Sequence, residues 1–296
     1  MREKLNILSM QELPFITICM PVYNSAWCLD DVLKAIFNID YPKKLLRLVF
    51  VDDHSTDHSF EILQKFKEQY ERDYDSIILV NTPRNKKGIG VARNTCLKFI
   101  KGEFVFWVDS DMIIPPSILR HMLRYFDMDP HVGWVNVPST VEKPSFYLKI
   151  HESRIPRKFR YADEAEVNIS LIRKEVMDLI GYFDEVEWYE LAAQYVKIRK
   201  AGWKIIIDGH LSRYTIHLGV RKWGQICNDF QKTSLRKIFK RLLKLFSHYT
   251  TRVPKRPVHE MIKAGDVKLA LKIAYWFILP YVLVIAIIFQ MPLLLL

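Results

Sequence analysis

Short apolar runs alternate with segments of helical spacing along the first half of the chain. The run 104–108 holds five consecutive apolar residues and predicts a strand that is buried on both faces. Similar runs predict strands at 15–20, 46–51 and 77–81, and helical spacing predicts helices at 30–38, 59–72 and 91–100. Strands that alternate with helices are typical of βαβ units, so we expect an α/β fold with a mostly parallel sheet.

Polar residues follow these strands at the point where each strand stops. Asn24 comes after the first strand, Asp52 and Asp53 after the second, and Asp109 and Asp111 after the fourth. The carboxyl ends of parallel strands share one edge of a sheet, so these side chains can meet in one crevice. The Asp-X-Asp pair can hold a divalent cation through its oxygens, or it can simply form a turn at the strand end.

The excess positive charge of the chain is confined to one segment. The net charge is +11, and residues 221–272 alone hold 14 Lys and Arg against 3 Asp and Glu. A nucleic-acid-binding protein usually carries its basic surface on the folded domain, so we expect no nucleic-acid partner. The basic segment instead precedes the uncharged stretch 273–296, an arrangement that indicates a membrane surface.

The stretch 273–296 is long enough to cross a bilayer once as a helix, with a kink at Pro280. Residues 235–248 place apolar side chains on one helical face and Lys and Arg on the other, which is typical of an interfacial helix, although such a helix could also pack on the folded domain. Basic residues before a span favour the cytoplasmic side. We therefore expect a single-pass membrane protein with a catalytic domain 1–220 on the cytoplasmic face, a basic segment 221–272 and a span 273–296, after which further spans could follow.

Four short motifs stand in a fixed order between the first strand and the fourth. They are Pro21-Val22-Tyr23-Asn24, Val51-Asp52-Asp53-His54-Ser55-Thr56-Asp57, Gly88-Ile89-Gly90-Val91-Ala92-Arg93-Asn94 and Asp109-Ser110-Asp111. In this order the chain resembles the family 2 glycosyltransferases, and the stretches 168–174 and 181–185 extend the likeness over roughly 15–217. The resemblance implies a GT-A-type Rossmann-like fold that binds a nucleoside-diphosphate sugar, either a UDP-sugar or a GDP-sugar.

The resemblance also implies a role for residues within these motifs. Pro21, Tyr23 and Asn24 would lie near the nucleotide, Asp53 would accept hydrogen bonds from the base, Arg93 would lie near the ribose or diphosphate, and Asp109 and Asp111 would bind Mg²⁺ or Mn²⁺ at the diphosphate. His217 follows a later predicted strand, 203–208, where the family often has a histidine near the metal or diphosphate. As a neutral imidazole it could bind the metal, as an imidazolium it could pair with phosphate, or it could be structural. His54 departs from the pattern, because glycine usually follows the Asp pair.

The catalytic base of the family is missing from its usual position. That base is the Asp of a Glu-Asp pair, but here Glu190 matches the first member and Leu191 replaces the second. Glu187 or Glu190 could serve as the base for a hydroxyl acceptor, or the protein could be inert. We favour a third interpretation, in which the acceptor is a lipid phosphate that is already ionised near neutrality because its second pKa is about 6.

The sequence therefore predicts a membrane-anchored, metal-dependent hexosyltransferase that moves a sugar to a lipid-linked acceptor, with polyprenyl phosphate favoured. Asp111 would act in catalysis through the metal, which stabilises the leaving diphosphate as a Lewis acid. The alternatives are transfer to a saccharide hydroxyl of a lipid-linked glycan and an inert, nucleotide-sugar-binding membrane protein. A processive polysaccharide synthase is disfavoured, because the sequence lacks the Gln-X-X-Arg-Trp motif of that group.

Overall fold

The computed structural model describes residues 13–140, 155–163, 165–183 and 192–218, which form an eight-stranded sheet with helices on both faces. The strands of this sheet are β1 (Ile16–Val22), β2 (Leu46–Asp52), β3 (Ser76–Asn81), β4 (Phe104–Trp107), β6 (Val132–Asn136), β7 (Phe159–Ala162), β8 (Ser170–Arg173) and β9 (Lys204–Asp208). Two short strands, β5 (Met112–Ile113) and β10 (Ile216–His217), pair separately. The helices are α1 (Leu29–Phe37), α2 (Ser59–Tyr70), α3 (Ile89–Leu97), α4 (Ile118–Met128), α5 (Lys174–Ile180) and α6 (Ala192–Lys200), with 3₁₀ turns at Lys43–Leu45 and Ser212–Tyr214.

The order of strands across the sheet is β3-β2-β1-β4-β8-β6-β9-β7. The first four strands in this order are parallel to one another. β8 runs antiparallel to both of its neighbours, β4 and β6, so β6 and its parallel partner β9 point the same way as β4. Only β8 and the edge strand β7 run against the common direction within this sheet, which confirms the predicted α/β class with a mostly parallel sheet.

The pairing register of β1 with β2 and β4 shows where these three strands end relative to one another. Val22 at the end of β1 lies opposite Asp52 at the end of β2. Cys19 lies opposite Trp107 at the end of β4. The turns that follow β1, β2 and β4 therefore leave the same edge of the sheet, which is where open α/β sheets bind ligands.

The central strand β1 is buried along its whole length, and its side chains alternate between two apolar cores. Ile18 belongs to the core that α1, α2 and α4 close on one face of the sheet. Cys19 belongs to the core that α3, α5 and α6 close on the other face. Because both faces are covered, apolar residues are favoured on both faces of the central strands, which is why the run 104–108 shows no alternation.

A close backbone approach at Gly102 holds the start of β4 against the start of β1. The backbone N–H of Glu103 donates to the carbonyl oxygen of Phe15 at 3.1 Å. Gly102 has a φ of +88°, and a Cβ at this position would lie 2.4 Å from the same oxygen of Phe15. Glycine alone fits both the left-handed backbone and the short approach.

The predicted elements before residue 108 are all present, and their ends differ by at most three residues from those predicted. The predicted strand 203–208 is β9. The predicted interfacial helix 235–248 and membrane span 273–296 lie outside the described residues, so these segments and the domain boundaries stay predictions. Within the ranges that are described, none of the helices has both the length and the apolar character needed to traverse a bilayer.

We expect Gly102→Ala to destabilise the protein more than Gly202→Ala. Both glycines are left-handed, at +88° and +83°, so each alanine costs about 1–2 kcal/mol for its backbone conformation. At Gly202 a Cβ would meet nothing within 4 Å, whereas at Gly102 it would collide with Phe15 and add a cost of at least about 1 kcal/mol. Urea denaturation of both full-length variants, followed by circular dichroism, measures the difference. Equal losses would show that the approach to Phe15 does not constrain the strands.

Candidate active site

Asn24 joins the turn after β1 to the turn after β2. Its backbone N–H donates to Oγ of Ser55 at 3.0 Å, and its Oδ1 accepts the backbone N–H of Thr56 at 2.8 Å. Asn24 has a left-handed φ of +48°, which asparagine tolerates better than most residues. The structure therefore gives Asn24 a part in shaping the crevice, and its predicted contact with a nucleotide stays a prediction.

Asp53 fixes the loop between β3 and α3. The residue is buried, its Oδ1 accepts the hydroxyl of Thr82 at 2.6 Å, and its Oδ2 accepts the backbone N–H of Gly88 at 2.8 Å. Gly88 has a φ of +122° and directly precedes α3. Each carboxylate oxygen carries more than one lone pair, so these two bonds are compatible with the hydrogen bond from a base that the resemblance implies.

His54 occupies a left-handed position directly after the acidic pair, with a φ of +58°. The preceding residue, Asp52, forms a turn around it, because Oδ2 of Asp52 accepts the backbone N–H of Ser55 at 3.0 Å. The same oxygen accepts the side-chain amide of Asn81 at 3.1 Å. A left-handed conformation, which favours glycine, is thus present directly after the acidic pair, and a histidine adopts it.

Arg93, which is buried, forms an ion pair with the partly exposed Asp109 at the end of β4. Arg93 lies on α3, its side chain is 6% exposed, and its Nη2 donates to Oδ1 of Asp109 at 3.2 Å. The guanidinium also lies over the ring of Phe183, 5.7 Å from the ring centroid. The two contacts hold a positive charge beside the Asp-X-Asp pair, which is where the resemblance expects a diphosphate.

His217 contacts Asp111 although the two residues are 106 positions apart in the sequence. The antiparallel pairing of β10 with β5 places His217 opposite Met112, and the backbone N–H of Leu218 donates to the carbonyl oxygen of Asp111 at 2.8 Å. Nε2 of His217 lies 3.1 Å from Oδ2 of Asp111. Burial alone would lower the pKa of His217, but the hydrogen bond and negative charge of Asp111, with Asp109 further off, outweigh burial and raise this pKa.

The donors at the end of β4 suit a hard divalent cation. Asp111 and His217 would supply a carboxylate oxygen and an imidazole nitrogen, and the side chains of Asp109 and Asp111 are 29% and 28% exposed, so a ligand can reach them. Asp109 is engaged with Arg93. Within the described residues, three potential ligand atoms lie within 4.8 Å of one another in one cluster, and that cluster does not include Asp109, Asp111 or His217.

The structure says less about the four remaining predicted site residues. Pro21 is part of β1, paired with Val51 of β2, and Tyr23 follows the strand with 56% of its surface exposed. Both lie at the predicted edge of the sheet. Glu187 and Glu190 fall outside the described residues, so the identity of a catalytic base stays a prediction.

Two residues between β1 and α1, Ser25 and Cys28, support the Asp-X-Asp segment, and no sequence pattern pointed to them. Oγ of Ser25 and Oγ of Ser110 are 2.6 Å apart. The thiol of Cys28 donates to the carbonyl oxygen of Ser110 at 3.4 Å. Burial, aided by the charge of Asp111, raises the pKa of Cys28 to about 12, so the thiol stays protonated and remains a donor.

Asn94 is a third residue that sequence reasoning did not single out, although it stands in a quoted motif. Its side-chain amide donates to the carbonyl oxygen of Phe183 at 2.9 Å, and its Oδ1 accepts the backbone N–H of Phe183 at 2.7 Å. The ring of Phe183 packs edge-on against Trp107 of β4, with centroids 5.2 Å apart. Asn94 therefore ties the backbone before residue 184 to the same helix that carries Arg93.

The sequence profile of glycosyl transferase family 2 matches residues 17–177, a range that includes the four motifs. A poly(ribitol-phosphate) beta-glucosyltransferase from Bacillus spizizenii is 36% identical over 112 residues. The matched segment is 38% of this chain and 17% of that protein, so this chain spans less than a fifth of the relative's length.

Two solved structures share the fold. TarS 1–349 from S. aureus, in complex with UDP-GlcNAc, has a TM-score of 0.52 at 24% identity and covers 68% of this chain and 57% of its own. The mannosyltransferase PcManGT from Pyrobaculum calidifontis, in complex with GDP-Man and Mn²⁺, has a TM-score of 0.57 at 21% identity and covers 92% and 76%. At these identities the likeness concerns the fold alone, and it agrees with the GT-A-type fold that the resemblance implies.

We expect His54→Gly to leave the free energy of unfolding unchanged or to raise it. A left-handed conformation costs a residue other than glycine about 1–2 kcal/mol, which offsets the entropy that glycine loses on folding. His54→Val should destabilise the protein by a further 1–2 kcal/mol or so, because a β-branched residue at positive φ is a strong outlier. Urea denaturation checks both values.

His58→Gly provides a matched control four residues further on. His58 has a φ of −80°, so glycine there relieves nothing and should cost about 0.5–1 kcal/mol. A loss of stability in His54→Gly as large as that in His58→Gly would contradict the assignment of backbone strain to His54.

Proposed function

This chain belongs to glycosyl transferase family 2, and from that membership we propose that it transfers a sugar from a nucleoside-diphosphate sugar to an acceptor at a membrane. The observation that carries the proposal is the pairing of two acidic residues with two basic ones at the end of β4. Asp109 pairs with Arg93, and Asp111 pairs with His217. Such a site offers both positive charge and carboxylate oxygens to a diphosphate and its counter-ion.

Each group at this strand end has a distinct task in the proposed reaction. Arg93 faces the diphosphate and stabilises the charge that develops on the leaving group, and its pairing with Asp109 keeps it in place before the donor binds. Asp111 and His217 would hold Mg²⁺ or Mn²⁺, which supplies Lewis-acid stabilisation of the leaving diphosphate when bound. The Mn²⁺ in the complex of PcManGT with GDP-Man supports this choice of cation.

The nucleotide would lie along the turns that follow β1 and β2. The exposed ring of Tyr23 can stack on a base, and Asp53 can accept a hydrogen bond from one while it holds the loop before α3. UDP-GlcNAc in the TarS complex and GDP-Man in the PcManGT complex support a nucleotide sugar as the donor. The choice between uracil and guanine stays open.

The acceptor that we favour is a lipid phosphate such as polyprenyl phosphate. Leu191 stands where the family has its base, and a phosphate dianion needs no base because it is already ionised. The basic segment 221–272 and the apolar stretch 273–296 would bring the catalytic domain to a membrane that presents such a lipid.

A hydroxyl acceptor is the second candidate, and one observation favours it. The relative from Bacillus spizizenii is named for poly(ribitol-phosphate), and ribitol offers hydroxyl groups as nucleophiles. A hydroxyl needs a general base, and Glu187 or Glu190 would then take that role.

The first test measures release of nucleoside diphosphate from a panel of UDP- and GDP-sugars with Mg²⁺ or Mn²⁺. We expect metal-dependent turnover that Asp111→Asn lowers on the order of a hundredfold or more, because one group that stabilises developing charge is lost. Asp178→Asn is the matched control, since Asp178 is an exposed carboxylate on α5 paired with Lys174. Wild-type protein that binds no nucleotide sugar would overturn the proposal, and binding without turnover would favour an inert protein.

The second test separates the two acceptors by adding polyprenyl phosphate or a lipid-linked glycan to the same assay. Transfer to a phosphate should be stimulated by polyprenyl phosphate and should survive Glu187→Gln and Glu190→Gln unchanged. Stimulation by the glycan, with loss of transfer in either glutamine variant, would identify a hydroxyl acceptor and the base.

We further propose that the catalytic domain is anchored at the cytoplasmic face of a membrane by residues 273–296. The full chain should remain in the membrane pellet after an alkaline carbonate wash. Val284→Asp with Ile287→Asp should release it, because each buried carboxylate costs insertion about 2.5–3.5 kcal/mol. Val253→Asp with Val258→Asp, outside the span, should not. Release of the wild-type chain by carbonate would contradict the anchor.

A further inference from the structure

Three potential metal ligands meet at the carboxyl end of β9, away from the Asp-X-Asp segment. They are His121 of α4, Asp208 at the end of β9, and His210 two residues later. Their ligand atoms all lie within 4.8 Å of one another, which no other group of three reaches within the described residues. We propose that this cluster binds a single transition-metal ion, with Zn²⁺ the favoured species, independently of the sugar-transfer site.

The carboxylate at the centre of the cluster is held rigidly. Asp208 is fully buried, and each of its oxygens faces one imidazole: Oδ2 lies 2.5 Å from Nε2 of His121, and Oδ1 lies 2.6 Å from Nδ1 of His210. Oδ1 also accepts the backbone N–H of His210 at 2.9 Å. Ligands that are already in place before binding are what a metal site requires of its protein.

The charge balance of the cluster favours a cation. Asp208 is fully buried, and both of its carboxylate oxygens are hydrogen-bonded to imidazole nitrogens. A buried charge needs a compensating partner. Protons on the two imidazoles or one divalent cation between the three side chains can each supply that partner.

The donor set selects a different metal from the one expected at Asp111. Two imidazole nitrogens and one carboxylate oxygen suit Zn²⁺ or Fe²⁺, whereas the end of β4 offers one imidazole beside the carboxylates of Asp109 and Asp111, a more oxygen-rich set that suits Mg²⁺ or Mn²⁺. Three protein ligands leave one position of a tetrahedral zinc ion open, and the side chain of His210, 43% exposed, forms the path to it.

Metal binding needs only a small expansion of the cluster. Ligands about 2.0–2.1 Å from a tetrahedral zinc are separated by about 3.3 Å, compared with the hydrogen-bonded separations of 2.5 and 2.6 Å seen here. His210 lies after the end of β9 and is exposed, so its ring can move outward while the buried Asp208 keeps its place.

Arg124 favours the ring tautomer of His121 that cannot bind a metal at Nε2. Nη2 of Arg124 contacts Nδ1 of His121. Because an ionised carboxylate only accepts, the hydrogen bond between Nε2 of His121 and Oδ2 of Asp208 places a ring proton on Nε2. That proton occupies the position of the metal. A zinc ion at Nε2 would move the proton to Nδ1, so Arg124 must turn away into solvent. Removing Arg124 should therefore strengthen metal binding.

The proposed ion would link α4 to the segment that leads into β10. The loop after His210 contains Ser212 and Thr215, and the backbone of Thr215 accepts the N–H of Thr140 at 2.8 Å. The same loop ends at His217, the partner of Asp111. A metal at His121, Asp208 and His210 would thus act as a structural clamp on one side of the catalytic crevice.

The test is a Zn²⁺ titration of the full chain in detergent, stripped of metal and kept in excess Mg²⁺, by isothermal calorimetry. Asp111→Asn with His217→Ala serves as the background, so that the sugar-transfer site does not contribute. We expect His121→Ala and His210→Ala each to remove one equivalent of bound Zn²⁺. In the same background, Arg124→Ala should bind that equivalent several-fold more tightly.

His131→Ala is the matched control, because His131 is also a histidine beside a carboxylate, with Nδ1 3.3 Å from Oδ1 of Asp129, but lies outside the cluster. It should retain the full stoichiometry. The absorption spectrum of bound Co²⁺ reports the coordination directly and should lose its tetrahedral bands in His210→Ala. Equal stoichiometry in all variants, no zinc binding by the background protein, or weaker binding in Arg124→Ala would each overturn the proposal.

Discussion

The pairing of β1 with β2 on one side and β4 on the other decides where the residues of the candidate active site lie. Val22 is level with Asp52, and Cys19 is level with Trp107, so three turns leave the sheet at one edge. Both faces of these strands are buried, and a slip of one residue would turn apolar side chains of one core into the other. The packing that stabilises the sheet therefore also fixes the relative heights of the polar turns.

The acidic groups at this edge are balanced by partners of different kinds. Asp53 accepts a hydroxyl and a backbone N–H, Asp109 pairs with a guanidinium, and Asp111 pairs with an imidazole. Carboxylates gathered in one crevice repel one another unless such partners are present. A ligand can replace some of these partners more readily than others. The buried hydrogen bonds of Asp53 are harder to exchange than the contact between Asp111 and the partly exposed imidazole of His217.

The sequence was sufficient for those parts of the structure that depend on local pattern. Apolar runs and helical spacing predicted the elements before residue 108. Because the carboxyl ends of parallel strands share one edge of a sheet, the sequence also predicted that Asn24, Asp53 and Asp109 lie at the same edge. The resemblance implied that His217 lies near a metal or diphosphate, but the antiparallel pairing of β10 with β5 that brings it to Asp111 has no local signature. Two-residue strands are too short to show a period.

The cluster of His121, Asp208 and His210 was missed for the same physical reason. His121 and Asp208 are 87 positions apart, and they meet only because α4 packs on the face of the sheet toward which the side chain of Asp208 points. A histidine on a helix and an aspartate at a strand end are each ordinary. Their chemistry depends on tertiary packing, which periodicity and spacing do not report.

The pair formed by Asp111 and His217 has a consequence for the order in which the protein matures. The ribosome releases the chain from its N-terminus, and a contact between two residues can form only after both have been synthesised. Strands β1 to β4 are synthesised before β8, and the partner of Asp111 follows 106 residues after it in the chain. A partly synthesised chain that already contains Asp111 thus still lacks His217. The ion pair between these two residues can therefore form only after synthesis has passed β10.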